Sequence, residues 1–189
     1  MSKIISLTIG ISESASTDVQ QMKGELSEAI GWFSSLNSIP HITLCEFEVP
    51  GSKTLNRIDS KLEWLCKTEF STDVKFDTVS CDTTAAVILP DKKSNENLKR
   101  IMKRIRNGIR KFIKIYSSYN PHISIGRQLG AAELELAKEI FSNWNEHLNF
   151  ICDHLCLRIF NEKTQQYDVI KQFPFENLID RSGEQLSLF

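Results

Sequence analysis

The chain has neither a G-x-x-x-x-G-K-[ST] loop nor a G-x-G-x-x-G turn, so nothing in it supports ATP or dinucleotide use. No apolar run approaches the length that spans a membrane. Met1-Ser2-Lys3 leads into an alternating strand pattern and lacks the basic start, apolar run and cleavage site of a signal peptide. The five cysteines (Cys45, Cys66, Cys81, Cys152, Cys156) are odd in number and fall in predicted strands and helices. They read as reduced core thiols of a cytoplasmic protein rather than a disulfide framework. Proline is scarce too: Pro40, Pro50, Pro90, Pro121 and Pro174 each fall at a predicted element boundary, where a missing N–H does least harm.

What remains is an ordinary globular composition, 41% hydrophobic and 25% charged over 189 residues. That length suits one domain or two small lobes sharing a core. The formal net charge of −1 hides an asymmetry. Residues 92–114 carry ten Lys or Arg against Glu96 alone, a local +9, so the rest of the chain sums to −10.

Periodicity predicts strands at 3–11, 41–49, about 71–80, 83–89, 122–127, about 149–160 and 165–173. Helices are predicted from Thr17 or Asp18 to about Ser34, from 52 to about Cys66, over 92–114 and over about 131–146. The order strand–helix–strand–helix–strand occurs twice, at about 3–80 and 83–160. The expected fold class is α+β: a bilobal, duplicated fold with mainly antiparallel sheets facing a central cleft and helices packed outside. Residues 1–173 are expected to form this single bilobal domain, with 174–189 a C-terminal tail.

One phrase is written twice. Pro40-His41-Ile42-Thr43-Leu44 and Pro121-His122-Ile123-Ser124-Ile125 each set a histidine and a hydroxyl residue two apart, after a proline and among aliphatic residues. On a strand, side chains two apart share a face, so His41 goes with Thr43 and His122 with Ser124. Two imidazoles suit metal-independent phosphodiester cleavage, one neutral as base and the other charged as acid. Thr43 and Ser124 are placed to hydrogen-bond the non-bridging phosphate oxygens. Symmetry leaves open which histidine is the base.

These paired motifs, over roughly 3–173, resemble the 2H phosphoesterase superfamily, specifically its RNA 2′,3′-cyclic phosphodiesterase branch, also called 2′-5′ RNA ligase-like. The resemblance implies an enzyme without a cofactor or metal, catalytic through His41 and His122. It would open 2′,3′-cyclic phosphates of RNA ends or nucleotides, with reverse 2′-5′ ligation as a side activity. Arg127, five residues after His122, matches a position where family members often carry a phosphate-contacting arginine. By strict alternation it faces away from His122 unless the strand ends or bulges there. Ser124 stands for the more usual threonine and keeps the hydroxyl. Cys45-Glu46-Phe47 lacks the aromatic residue with which relatives often stack a base, although Phe47 lies on the histidine face by strict alternation.

Other features have narrower readings. His154 and Arg158 share a face of the predicted strand 149–160 and are expected to line the cleft. Cys152, His154 and Cys156 alternate there too, but no fourth ligand is evident and no metal is assigned. The basic helix 92–114 reads as a solvated amphipathic face or as a surface that steers RNA. Gln185-Leu186-Ser187-Leu188-Phe189 resembles the bacterial sliding-clamp-binding pentapeptide, with Gln185, Leu186, Leu188 and Phe189 as its contacts. The alternative function is a non-catalytic nucleotide or RNA-end binding module recruited through that tail. The expected protein is a monomer without membrane association.

Overall fold

The computed structural model describes residues 3–116 and 120–176. Strand β1 (Lys3–Ile9) alternates as its sequence demands and buries Ile5, Leu7 and Ile9 completely. Helix α1 (Glu13–Ile30) starts earlier than its periodicity suggests. Ser12 is the cap, its Oγ accepting from the Ala15 N–H at 3.2 Å. Thr17 is inside the helix and donates back to the Glu13 carbonyl. Then come β2 (Ile42–Val49), α2 (Ser52–Lys67), β3 (Thr72–Asp82), β4 (Ala85–Pro90) and α3 (Lys92–Ile109). The chain continues through β5 (Ile115–Tyr116), β6 (Ile123–Arg127), α4 (Ala131–Phe141), β7 (Leu148–Cys152), β8 (His154–Asn161) and β9 (Gln166–Pro174).

Among the described residues these strands form one sheet in the order β7-β3-β4-β6-β2-β1-β8-β9, with β5 paired to β2. Every recorded strand pair is antiparallel. The sheet divides into two lobes, β2-β1-β8-β9 and β7-β3-β4-β6, joined where Ile42 pairs with Ile123. β3 follows β2 in sequence yet pairs with β4, and β8 returns to pair with β1. Each lobe is thereby completed by a strand from the other half of the chain.

Two expectations need correction. The single strand over 149–160 is two strands on opposite lobes, β7 against β3 and β8 against β1. The buried positions show why: Leu148, Phe150 and Cys152 are inward at even numbers, Leu155 and Leu157 at odd ones. The inward phase therefore jumps at Asp153. The basic helix also ends at Ile109 rather than 114, and a turn delivers β5 to the edge of β2.

The helices bury apolar stripes against the sheet and one another. In α3 that stripe is Leu98, Ile101, Met102, Ile105 and Ile109, and in α2 it is Ile58, Leu62 and Leu65. The α2–α3 contact is locked by Glu69, whose buried carboxylate accepts from Arg100 at 3.0 Å and Arg104 at 2.6 Å. Stripped of both guanidinium partners, such a buried carboxylate would cost about 3–5 kcal/mol. All five cysteines are free, and burial pushes the thiols of Cys45, Cys66 and Cys152 up to about 12.

Candidate active site

β2 and β6 meet at the middle of the sheet, and that junction positions both motifs. Ile42 and Ile123 are fully buried and form the antiparallel rung between the lobes. One step away on each strand, that register sets His41 opposite Ser124 and Thr43 opposite His122, all on the face away from the isoleucines. The histidines then lie on a diagonal, a spacing of about 7–8 Å in an antiparallel pair. Each imidazole is held in the same way. His41 Nδ1 is 2.6 Å from the Ile39 carbonyl and His122 Nδ1 is 2.9 Å from the Asn120 carbonyl, two residues upstream in both cases. A carbonyl can only accept, so each Nδ1 carries a proton and each Nε2 is left outside that tether.

Both motif strands also carry a β-bulge at the same place. The β1–β2 register moves from Leu7↔Cys45 to Thr8↔Thr43, which leaves Leu44 as the extra residue. The β4–β6 register moves from Ala86↔Gly126 to Val87↔Ser124, which leaves Ile125 as the extra one. Each extra residue is third after its histidine, and each is fully buried. A bulge reverses the alternation beyond it. The fifth residue after each histidine, Glu46 and Arg127, therefore returns to the histidine face, and both line one cleft of about 230 Å³ together with His41 and Thr43.

That reversal corrects the expectation for Phe47. It pairs with Ile5, is 1% exposed and belongs to the core. The aromatic residues of the cleft are instead Phe160 and Tyr167, from β8 and β9, packed edge to face at 5.2 Å. His154 shares a face with Arg158 but lies outside the cleft walls. Its ring covers Gly10, where an added Cβ would meet Nε2 at 2.0 Å, and its Nδ1 bonds Asp153 at 2.6 Å. Contact with the Cys156 side chain, then the Asp153 bond, raises the His154 pKa to about 9. His122 and Ser124 reach the site through the strand register and are not among the walls of this cleft. Gln185, Leu186, Leu188 and Phe189 lie outside the described residues.

The electrostatics of the cleft centre on Arg158, which is 3% exposed. Its Nη2 donates to the Tyr167 carbonyl at 3.0 Å, and its Nη1 approaches His41 at 2.8 Å from Nδ1 and 3.2 Å from Nε2. Because Nδ1 donates to Ile39, only Nε2 has a lone pair for the guanidinium. The Arg158 Nε is buried with no hydrogen-bond partner, and no carboxylate among the described residues bonds the group. Lys23 is a second buried cation, 1% exposed, held among the described residues by oxygen dipoles: the Ser35 carbonyl at 3.0 Å, and the Ser38 carbonyl and Oγ at 2.6 and 3.1 Å. Burial, with Arg127 and Arg158 nearby, lowers its pKa to about 8. Burial and then the Arg158 charge lower His41 to about 3, against the opposing pull of the Ile39 carbonyl, so its imidazole is neutral at physiological pH. Uncompensated buried cations around a neutral imidazole make a site for an anion.

The local chain explains this arrangement. Lys23 occupies the apolar stripe of α1, four residues after Val19 and three before Leu26. From there it ties down the loop that leads through Pro40 to His41. Ser35 of that loop donates to the carbonyl of Ile125, the bulge residue of β6, and Ser34 donates to the Arg127 carbonyl. One loop thus fixes the first histidine and the bulge that turns Arg127 inward.

With this geometry in place, the comparison with known families is decisive. The family model described as the 2′-5′ RNA ligase superfamily matches residues 11–164. The chain belongs to that superfamily. Solved structures with the superfamily's fold superpose over nearly the whole chain. TT0787 of Thermus thermophilus has a TM-score of 0.68 at 13% identity, over 92% of this chain and 98% of its own. E. coli LigT, solved in complex with 3′-AMP, has a TM-score of 0.61 at 12% identity, covering 93% and 99%. Usb1 of Kluyveromyces marxianus has a TM-score of 0.57 at 13% identity, covering 90% and 97%. At these identities the superpositions establish the 2H phosphoesterase fold and leave the substrate to the site itself. No curated protein matches the sequence. Superfamily membership supports phosphoesterase or ligase-type chemistry, and no helix of the described residues is long and apolar enough to cross a membrane.

Sequence reasoning missed Lys23, Glu46, Phe160 and Tyr167. The signal for Lys23 was present, a lysine at an apolar-stripe position. Glu46 was hidden by the bulge, and the two aromatic residues by a hairpin whose partner strands are distant in sequence.

Proposed function

We propose that this protein opens 2′,3′-cyclic phosphates at RNA ends or on nucleotides, by paired-histidine acid–base catalysis without a metal. The observation that carries this reading is the matched tethering of His41 and His122, Nδ1 to the carbonyl two residues upstream, beside a buried guanidinium that no carboxylate among the described residues bonds. A cyclic phosphate supplies the missing negative charge. When it binds, Arg158 and Arg127 turn to its oxygens, and the Nε2 of His41 is released from the guanidinium to accept a proton.

Water then attacks phosphorus and gives its proton to His41 Nε2. The P–O3′ bond breaks, and O3′ takes a proton from His122 Nε2, leaving a 2′-phosphate and a free 3′-hydroxyl. Thr43 and Ser124 donate to the non-bridging oxygens, where negative charge builds in the transition state. If an RNA 5′-hydroxyl replaces water, the same proton transfers form a 2′-5′ linkage, which is the ligation side reaction. Phe160 and Tyr167 offer an apolar wall for a base or ribose beside the phosphate. LigT, a protein of the same fold, was solved with a nucleotide, 3′-AMP.

The test is turnover of a 2′,3′-cyclic mononucleotide and of cyclic-phosphate-ended RNA by metal-free enzyme, with the product identified by phosphorus NMR. The expected product is the 2′-phosphate. An inert wild type, or a 3′-phosphate product, would overturn the proposal.

A further inference from the structure

A protonated lysine has three hydrogens to donate and a neutral one has two, so the acceptors around a buried lysine bear on its charge. Lys23 Nζ meets three: the Ser35 carbonyl at 3.0 Å, the Ser38 carbonyl at 2.6 Å and the Ser38 Oγ at 3.1 Å. The Ser38 hydroxyl directs its own proton elsewhere, to the Ser35 carbonyl at 2.8 Å. The full set of bonds therefore needs the ammonium ion, and loss of one proton breaks one of them. Gln20, one turn earlier on α1, adds a bond to the same Ser38 carbonyl at 3.1 Å. No carboxylate among the described residues bonds Lys23.

The segment these bonds hold, residues 31–40, has no ionisable side chain of its own. Its Ser34 and Ser38 line the cleft with His41, Arg127 and Arg158, and Ser34 and Ser35 reach the carbonyls of Arg127 and Ile125 on the other lobe. The charges that act on Lys23 also belong to the cleft. Burial, then Arg127 of β6 and Arg158 of β8, lower its pKa to about 8, and Lys23 in turn acts on His41 of β2. β6 also carries His122, tethered to Asn120. Glu46, the acid of the cleft wall, takes a hydrogen bond from Tyr167. The other elements packed on α1 turn apolar groups toward it. α4 buries Leu134, Ala137 and Phe141, keeps Glu135, Lys138 and Glu139 exposed, and uses Glu133 to cap Gly130. β7 buries Leu148, Phe150 and Cys152, whose thiol is pushed up to about 12 and stays neutral. The acids of α1 itself, Glu13, Asp18, Glu25 and Glu28, are exposed.

We propose that Lys23 is a proton-linked positioning residue of the phosphate site: an anion bound at Arg127 and Arg158 takes up a proton at Lys23, and that proton keeps the 31–40 loop tied to both motif strands. The coupling runs both ways. An anion offsets the two like charges beside Lys23 and so favours its ammonium form. The ammonium form then strengthens anion binding by the same factor. This deepens the reading of the cleft as a phosphate site and rests on it, and it gives the site a dependence on alkaline pH that neither histidine supplies.

The probe is inorganic sulfate, which stays a dianion from pH 7 to 10 and so does not itself titrate. Its binding to wild type, Lys23→Met and Lys23→Arg is followed by calorimetry in buffers of different ionisation enthalpy, which counts the protons taken up. At pH 8.5 wild type should take up about half a proton per sulfate more than either variant, a difference from which any His122 contribution cancels. Wild-type affinity should match Lys23→Arg at pH 7 and Lys23→Met at pH 10, with the two variants about tenfold apart. A purely structural lysine would instead separate wild type from each variant by a constant factor at every pH. Where Lys23→Arg fails to fold, the wild-type protein decides alone: the Lys23 Cε signal in NMR should titrate near 8 and move up by about one pH unit with saturating sulfate. A wild-type to Lys23→Met ratio of Kd that is flat across this range, or a Cε midpoint that sulfate leaves in place, would overturn the proposal. The linkage in a protein that turns over no cyclic phosphate would refute the catalytic reading and leave Lys23 its role; turnover without the linkage would do the reverse.

Discussion

The two motif strands are built alike and surrounded differently. In each, a proline precedes the histidine, a carbonyl two residues upstream holds its Nδ1, and a bulge three residues downstream returns the fifth residue to the histidine face. On β2 that fifth residue is Glu46 and the histidine lies against the buried guanidinium of Arg158; on β6 it is Arg127, and the Arg158 bonds are made to the other histidine. Matched backbone geometry places the groups, and unmatched neighbours give them different work. In the proposed mechanism the neutral imidazole of His41 is the base and His122 the acid. One arginine, which reaches His41 from β8, breaks the symmetry visible in the sequence.

The comparison breaks most severely when either histidine is removed. His41→Ala and His122→Ala should each lower kcat on a cyclic mononucleotide by about 10³-fold, within the usual range for one acid or base. Because the two act as a unit, the double variant should lose little more than either single one. Steady-state kinetics of the three variants read this directly.

Arg158→Met removes the asymmetry itself. It should lower kcat/KM by about 10²-fold through lost phosphate binding, yet leave the melting temperature unchanged or raised, since a buried cation without a counter-ion is replaced by an apolar chain. The pH profile should move as well. A base must be neutral, so activity falls as pH drops through its pKa, and His41 near 3 puts that limb far into acid. Without the Arg158 charge the pKa rises toward its ordinary value, and the acidic limb should shift upward.

The fifth positions test the bulges. Arg127→Gln should raise KM about tenfold with little change in kcat, whereas Glu46→Gln should change either constant by less than about threefold. Equal effects at the two positions would mean that the difference between the strands has no bearing on binding.

The smallest effect is on stability and belongs to Lys23. Its folded pKa is depressed to about 8 from 10.5, so in the folded state its charged form is disfavoured. Below pH 8 both states carry the proton and the full penalty applies. Between 8 and 10.5 the unfolded chain binds more protons, so this residue makes stability rise with pH. The difference in unfolding free energy between wild type and Lys23→Met, measured by urea titration, should therefore shift in favour of wild type across that window.

Much of this arrangement was legible in the sequence, and the gaps have physical causes. The paired P-H-I-[TS] phrases, the α+β class and the apolar faces of α2 and α3 follow from period and spacing alone, because each is a local property. Phe47 was misplaced, and Arg127 left undecided, by the assumption of unbroken alternation, which one extra residue at Leu44 and at Ile125 defeats. Strand 149–160 was read as continuous because apolar content persists through Asp153 while the inward phase does not. The partnership of Arg158 with His41 spans 117 positions of sequence and is set by strand order, which no local pattern encodes.

Phosphate titration followed on the imidazole nitrogens by NMR asks whether His41 and His122 face one phosphate site. The Nε2 signals of both histidines should shift together along one saturable curve with a single Kd, and Arg158→Met should weaken that curve for both. Response of one histidine alone, or two curves with different Kd values, would contradict it.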